Sequence, residues 1–180
     1  MLKSRLEILL WSLLTSLSVS AQALPNEPVT RLDLNRYVGT WHEIAHLPLY
    51  FQRQCVDNIT ATYTRQVDGT IGVHNACRTK NGSMDVADGI ARKTDGPAGA
   101  LQVRFAPSWL GWLPFVWADY WVVDLDSDYQ WVVVGSPSRK YLWVLSRAPA
   151  MSRVLFEQLR RRAAERGYPV DKLIMAGSLD

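Results

Sequence analysis

Residues 34–46 read LNRYVGTWHEIAH, with Gly39 two positions ahead of Trp41. The first alternating segment of the chain, VGTWHEIAH, begins at this point. An indole at the entrance of a strand has one economical use. Turned inward, Trp41 fills the narrow end of a small closed barrel and excludes water from it.

Segments of the same kind recur from residue 38 to 147. TATYTRQ, VDGT and IGVHNAC read as a hairpin about Asp68-Gly69. LQVRF sets Leu101, Val103 and Phe105 on one face and Gln102 and Arg104 on the other. DYWVVDLDSDYQWVVVGS is two strands about an acidic turn running from Asp124 to Asp128, and YLWVLSR follows the turn SPSRK. Eight strands are expected, at 38–47, 58–66, 70–78, 84–93, 100–106, 117–124, 129–135 and 141–147. Their even spacing and short links predict a sandwich or an up-and-down barrel. Eight antiparallel strands can close with no free edge, around an interior wide enough for packed side chains or one small ligand.

The period changes after Pro149. In MSRVLFEQLRRRAAERGYPV, residues Val154, Leu155, Leu159 and Ala163 fall at helical spacing, Ser152 can cap the start, and Gly167 and Pro169 stop the helix. The expected fold is all-β: an eight-stranded antiparallel barrel with one C-terminal helix packed outside.

The first 23 residues read as a secretory signal. Lys3 and Arg5 precede the apolar run LEILLWSLLTSLSVS, and small residues at Ala21 and Ala23 set the cut. A membrane anchor is the competing reading, but the run is short and contains Glu7. No cysteine follows the cut, so a lipid-anchoring signal is not visible. Residues 24–180 then form a single domain that is secreted, periplasmic, or peripheral to an outer membrane. Removing Lys3, Arg5 and Glu7 takes the totals from 20 basic and 17 acidic residues to 18 and 16, a net of +2. With no basic stripe and with aromatics in apolar strands, nucleic-acid binding is not expected. Seven tryptophans remain after the cut, enough for an aromatic core or an aromatic-lined cavity. Cys55 and Cys77 are an even count in an exported chain, which favours a disulfide worth about 3 kcal/mol over a reactive thiol.

These segments resemble the lipocalin family, in particular its bacterial members, the plant temperature-induced lipocalins and apolipoprotein D. The likeness runs from about Leu32 to Met175 and rests on three stretches: LNRYVGTWHEIA, VVDLDSDYQWVVV, and YLWVLSR ending in Arg147. It implies that Gly39, Trp41 and Arg147 are structural, with the guanidinium laid over the indole at the closed end. Against apolipoprotein D, where the cysteine like Cys55 pairs near the C-terminus, the resemblance leaves only Cys77 as partner. His42 and His46 stand where the family usually has Tyr and a long residue. By alternation both face outward, as ordinary polar surface or, less expectedly, a metal-binding pair. No metal or cofactor is expected.

Alternation from these anchors lists an inner face. It comprises Ile59, Ala61 and Tyr63; Ile71, Val73 and Asn75; Leu101, Val103 and Phe105; Tyr120 and Val122; and Tyr141, Trp143 and Leu145. The face with Trp121 is the alternative on the sixth strand. The resemblance makes Tyr120 and Trp143 pocket residues. The loop PSWLGWLPFVW between strands five and six carries Trp109, Trp112 and Phe115. It is expected to line the mouth or touch a membrane through 107–116, with packing on the outer wall as the alternative. Expected ligand-binding residues are Tyr63, Asn75, Phe105, Tyr120, Trp143, Tyr141 and Trp112. They suit a hydrocarbon tail with one polar head near the mouth, such as a fatty acid or lysophospholipid.

An enzyme, an isomerase or hydrolase, is the rival class. A free Cys77 on the inner face could serve as nucleophile, but no base stands beside it and His74 alternates outward. A haem or tetrapyrrole carrier is a third class. No catalytic residues are expected, and the sequence gives no oligomeric state.

Overall fold

The computed structural model describes residues 23–180, so the expected leader, except Ala23, lies outside the described residues. Helix α1 (Leu34–Tyr37) leads into strands β1 (Gly39–His46), β2 (Cys55–Arg65), β3 (Ile71–Thr79) and β4 (Met84–Lys93). Next come β5 (Ala100–Arg104), β6 (Ala118–Leu125), β7 (Trp131–Gly135) and β8 (Leu142–Ser146). The chain ends with β9 (Ala150–Met151), α2 (Arg153–Glu165), β10 (Ile174–Met175) and β11 (Ser178–Leu179). The eight long strands pair antiparallel in sequence order, and β1 also pairs with β8, which closes the barrel.

Alternation gives the barrel two apolar clusters. The inner one joins Trp41, Tyr63, Ile71, Val73, Ala91, Val122, Val132, Val134 and Leu145. Tyr120, Val103 and Trp143 pack against it, so the Tyr120 face of β6 is the inner one and Trp121 packs outside. The outer cluster lies between the wall, with Ile44, Val133, Leu142 and Val144, and helix α2. Ser152 Oγ caps α2 by accepting from the Leu155 amide at 3.2 Å, and Gly167 follows the helix at φ +85°. The helix spans 13 residues, and its buried face is Phe156, Leu159 and Ala163. Val154, expected on that face, is 70% exposed. It stands about 200° around the helix from Phe156, on the face turned away from the wall. Asp124 Oδ1 on β6 accepts from Arg162 of α2 at 2.7 Å, and Arg166 stands 3.7 Å from its other oxygen.

Bulges account for the remaining departures from alternation. The β1–β8 register slips between Glu43 and Ala45: Glu43 faces Leu145, Ala45 faces Val144, and His46 faces Trp143. One extra residue in β1 turns His46 inward, where it is 7% exposed. The expected outward pair of His42 and His46 therefore does not form. Strand β2 begins at Cys55 rather than 58, with two irregularities before Thr60 and Asn58 at φ 50°. Near the mouth β1 leaves β2 and pairs with β10 instead, through Ala45↔Met175 and His46↔Ile174.

Candidate ligand-binding cavity

The closed end is built on backbone carbonyls. Trp41 is fully buried and its Nε1 donates to the Tyr37 carbonyl at 2.8 Å. The Arg147 guanidinium lies 3.7 Å from the centre of the indole. It donates to the carbonyls of Thr40 at 2.9 Å, Arg36 at 2.8 Å, and Tyr37 and Val38 at 3.0 Å each. Gly39 has φ +98°, and a Cβ there would stand 3.2 Å from Arg147 Nη1, so both backbone and space call for glycine. Gly39, Trp41 and Arg147 thus seal one end.

Above this seal lies a cavity of about 640 Å³. Its floor is a chain of three tyrosines: the Tyr120 hydroxyl is 2.6 Å from that of Tyr37 and 2.8 Å from that of Tyr63. Burial pushes Tyr63 up to about 12 and Tyr37 and Tyr120 well above the ordinary phenol value, so all three stay neutral. Tyr37 carried no signal in the sequence beyond standing four residues before Trp41.

One carboxyl is set into the lower wall. Glu43 is 6% exposed and lines the cavity. The Gln52 side-chain amide, on the short helical turn Tyr50–Gln52, donates to its two oxygens at 2.8 and 3.0 Å. Burial raises Glu43 to about 7 despite Gln52, which lowers it. His46 Nε2 is 3.7 Å from Glu43 Oε1, Nδ1 lies 2.6 Å from the Leu47 carbonyl, and burial depresses the imidazole. Asn75 also lines the cavity, and its buried Oδ1 accepts no hydrogen bond. Glu43 was legible from alternation two residues after Trp41; Gln52, on an irregular turn, was not.

The upper walls are mostly apolar, with Gln54, Asp85 and Asp119 among them. Tyr63, Asn75, Phe105, Tyr120, Tyr141 and Trp143 all line this one space. The Tyr141 and Trp143 rings stack at 6.1 Å. Cys55 and Cys77 join in a disulfide with Cα atoms 5.5 Å apart, and both face the cavity near its mouth. Trp112 is not in the lining: it is 79% exposed on the link between β5 and β6. That link divides its roles. Its base packs on the outer wall, where Trp117 Nε1 donates to the Gly111 carbonyl at 2.8 Å. There the Trp117 ring lies 3.9 Å from the Arg92 guanidinium, and Arg104 donates to the carbonyls of Pro107 and Ser108 at 3.0 Å. Phe115 turns to the cavity mouth, while Trp109 stays 72% exposed.

Comparison with known proteins agrees with this geometry. A lipocalin-like domain model matches residues 32–178. The chain is 42% identical over 150 residues to temperature-induced lipocalin-1 of Arabidopsis thaliana, covering 82% of this chain and 80% of that protein. It is 37% identical over 148 residues to the outer membrane lipoprotein Blc of Citrobacter freundii, covering 81% and 79%. Among solved structures, the cockroach allergen Per a 4 superposes with a TM-score of 0.63 at 17% identity, over 88% of this chain and 96% of that one, a likeness of fold alone. With the G-x-W floor, the closing arginine and the family match on one continuous barrel, the chain belongs to the lipocalin family.

Proposed function

We propose that this lipocalin binds, stores or carries a single-tailed lipid, a fatty acid or a lysophospholipid, at the cell envelope. The observation that carries this reading is the hollow itself. It is open at one end, sealed at the other, and walled by apolar and aromatic side chains. Each methylene withdrawn from water contributes about 0.8 kcal/mol, so a tail of about a dozen carbons supplies roughly 10 kcal/mol before entropic costs. Binding is favoured over catalysis because the nucleophile that an enzyme would use, Cys77, is bonded to Cys55. His46, the inward histidine, is turned to Glu43 and the Leu47 carbonyl rather than to a ring ligand.

Contact with a lipid surface through 107–116 belongs to the same reading. Trp109, Trp112 and Phe115 are each more than 70% exposed, and Tyr50 on the neighbouring link is 75% exposed. The four links at the mouth carry Arg53, Lys80, Arg139 and Lys140 and no acid. The three links between strands at the closed end carry Asp68, Asp95, Asp126 and Asp128 and no base. A molecule so polarised meets an anionic bilayer mouth first. An envelope location is supported by the leader-like residues 1–23 and by the likeness to an outer membrane lipoprotein. Titration with fatty acids of increasing length tests the proposal. Affinity rising with each added methylene supports it, and affinity indifferent to length contradicts it.

A further inference from the structure

Four polar groups of the cavity, Tyr63, Tyr120, Glu43 and Asn75, stand where a tail-first ligand would place its tail. Tyr63 pairs with Gly39 at the first position of β1, and Tyr120 reaches Tyr37, which precedes β1. Glu43 is one inward step above Trp41, and Asn75 shares a rung with Ala61, which itself faces Trp41. All four therefore belong to the closed half. The mouth is walled by Phe51, Phe105, Phe115 and Tyr141, and the polar side chains it adds, Gln54, Asp85 and Asp119, include no cation.

The sign of the lining is one-sided as well. Among the described residues its charged groups are Glu43, Asp85 and Asp119, with no Lys, Arg or His in the lining. Two guanidiniums set into the wall are committed elsewhere. Arg147 donates to carbonyls behind Trp41, and Arg104 donates to carbonyls of the β5–β6 link. Arg53 and Lys80 lie around a separate shallow depression on the rim. A buried carboxylate ligand would thus meet acids and no counter-charge, an arrangement that burial makes costly.

The floor instead presents acceptors in need of donors. Asn75 Oδ1 is buried with no partner. Glu43 receives a single nitrogen, that of Gln52, across both its oxygens. The tyrosine chain holds three hydroxyl protons but only two internal contacts, so one O–H is left to donate. Glu43 and Tyr63 are close enough for the carboxylate charge to disfavour ionising the phenol.

We infer that the ligand enters head first and that its head is a hydrogen-bond donor, a hydroxyl or a protonated amine, held at the floor by Glu43, Asn75 and Tyr63 while the tail runs out toward the mouth. This rests on the tailed-ligand reading above and inverts the orientation expected from the sequence. A hydroxyl fits best, since it can accept from the free tyrosine O–H while donating to Glu43 or Asn75. The aromatic rim then surrounds the tail, so a ligand anchored in a bilayer by its tail can be drawn in by its head.

The test uses matched hexadecyl probes below their micelle concentrations: hexadecanol, hexadecylamine and palmitate, in buffer that keeps palmitate ionised. The alcohol and amine should bind about ten- to a hundredfold more tightly than palmitate, the worth of a hydrogen bond to a charged group. Glu43→Gln, close in shape, should narrow that gap, and Asn75→Leu should weaken the alcohol and the amine while leaving palmitate little changed. A crystal of the complex with hexadecanol brominated at the end of its tail should show the bromine beside Phe105 or Phe115. Bromine beside Trp41, or palmitate binding as well as the alcohol, overturns the inference and leaves the lipid reading standing. Failure of all three probes to bind removes both.

Discussion

At the scale of single residues, Arg147 does the most. Five carbonyls, those of Arg36, Tyr37, Val38, Thr40 and Tyr129, and one indole converge on a single guanidinium. Arg147→Ala removes this donor from all of them, leaving only the Tyr37 carbonyl with the Trp41 indole as a side-chain donor, and we expect a loss of about 2–4 kcal/mol in urea denaturation. Arg147→Lys should recover little of it, because an ammonium cannot span the same forked set of acceptors. Glu43 gives a prediction of opposite kind. Its folded value of about 7 lies above the unfolded carboxylate value, so its contribution is fully favourable at acid pH and is lost as pH rises through 7. The groups that face it are Gln52, His46 and Tyr63, with Leu145 opposite on β8. His46 is depressed, so its contribution is present above its ordinary pKa and lost as pH falls, opposing Glu43. The difference between wild type and Glu43→Gln cancels most of that opposition. Wild type should lose about 3 kcal/mol relative to the variant between acid and mildly alkaline buffer, read by denaturation at each pH. A difference that stays flat with pH would contradict the burial of an ionisable Glu43.

At the scale of elements, the inner face was legible wherever a strand was regular. Trp41, Tyr63, Val73, Val122 and Leu145 follow from counting by twos, and all five pack together. Counting failed at the bulges. Nothing in GTWHEIAH marks Ile44 as the extra residue, because a bulge is set by the pairing with β8, a neighbour about 100 residues away. The Asp124 bond to α2 was hidden for a related reason: the acid was read as the start of an acidic turn, whereas a helix from later in the chain covers it. Asp124→Ala should strand Arg162 and Arg166 and loosen α2, visible as faster amide exchange there with the barrel strands little changed. The mouth link is the converse case. Trp109→Ser with Trp112→Ser removes exposed rings, so melting should barely move, while co-sedimentation with anionic vesicles should fall. Unchanged sedimentation would leave the lipid-surface contact without support.

At the scale of the whole molecule, the fold and its two poles were readable from the chain, but the content of the hollow was not. Strand spacing gives closure, and the first and last strands give a sealed end. Whether a barrel of this size is filled or empty depends on residue volumes at every inner position, which alternation alone does not sum. Here small inner residues, among them Ala61, Ala87 and Ala118, leave the space open. Narrowing it should abolish binding without unfolding the protein. Trp143→Ala, which removes a wall, should instead weaken any tailed ligand by about tenfold or more while preserving its dependence on chain length. The most direct measurement is native mass spectrometry of the protein purified from its own host, followed by extraction of whatever accompanies it. A bound amphiphile with one hydrocarbon tail, displaced by added lipid of longer tail, is the expected result. A barrel that emerges empty and stays empty with fatty acids, fatty alcohols and lysophospholipids alike would contradict a lipid-binding hollow.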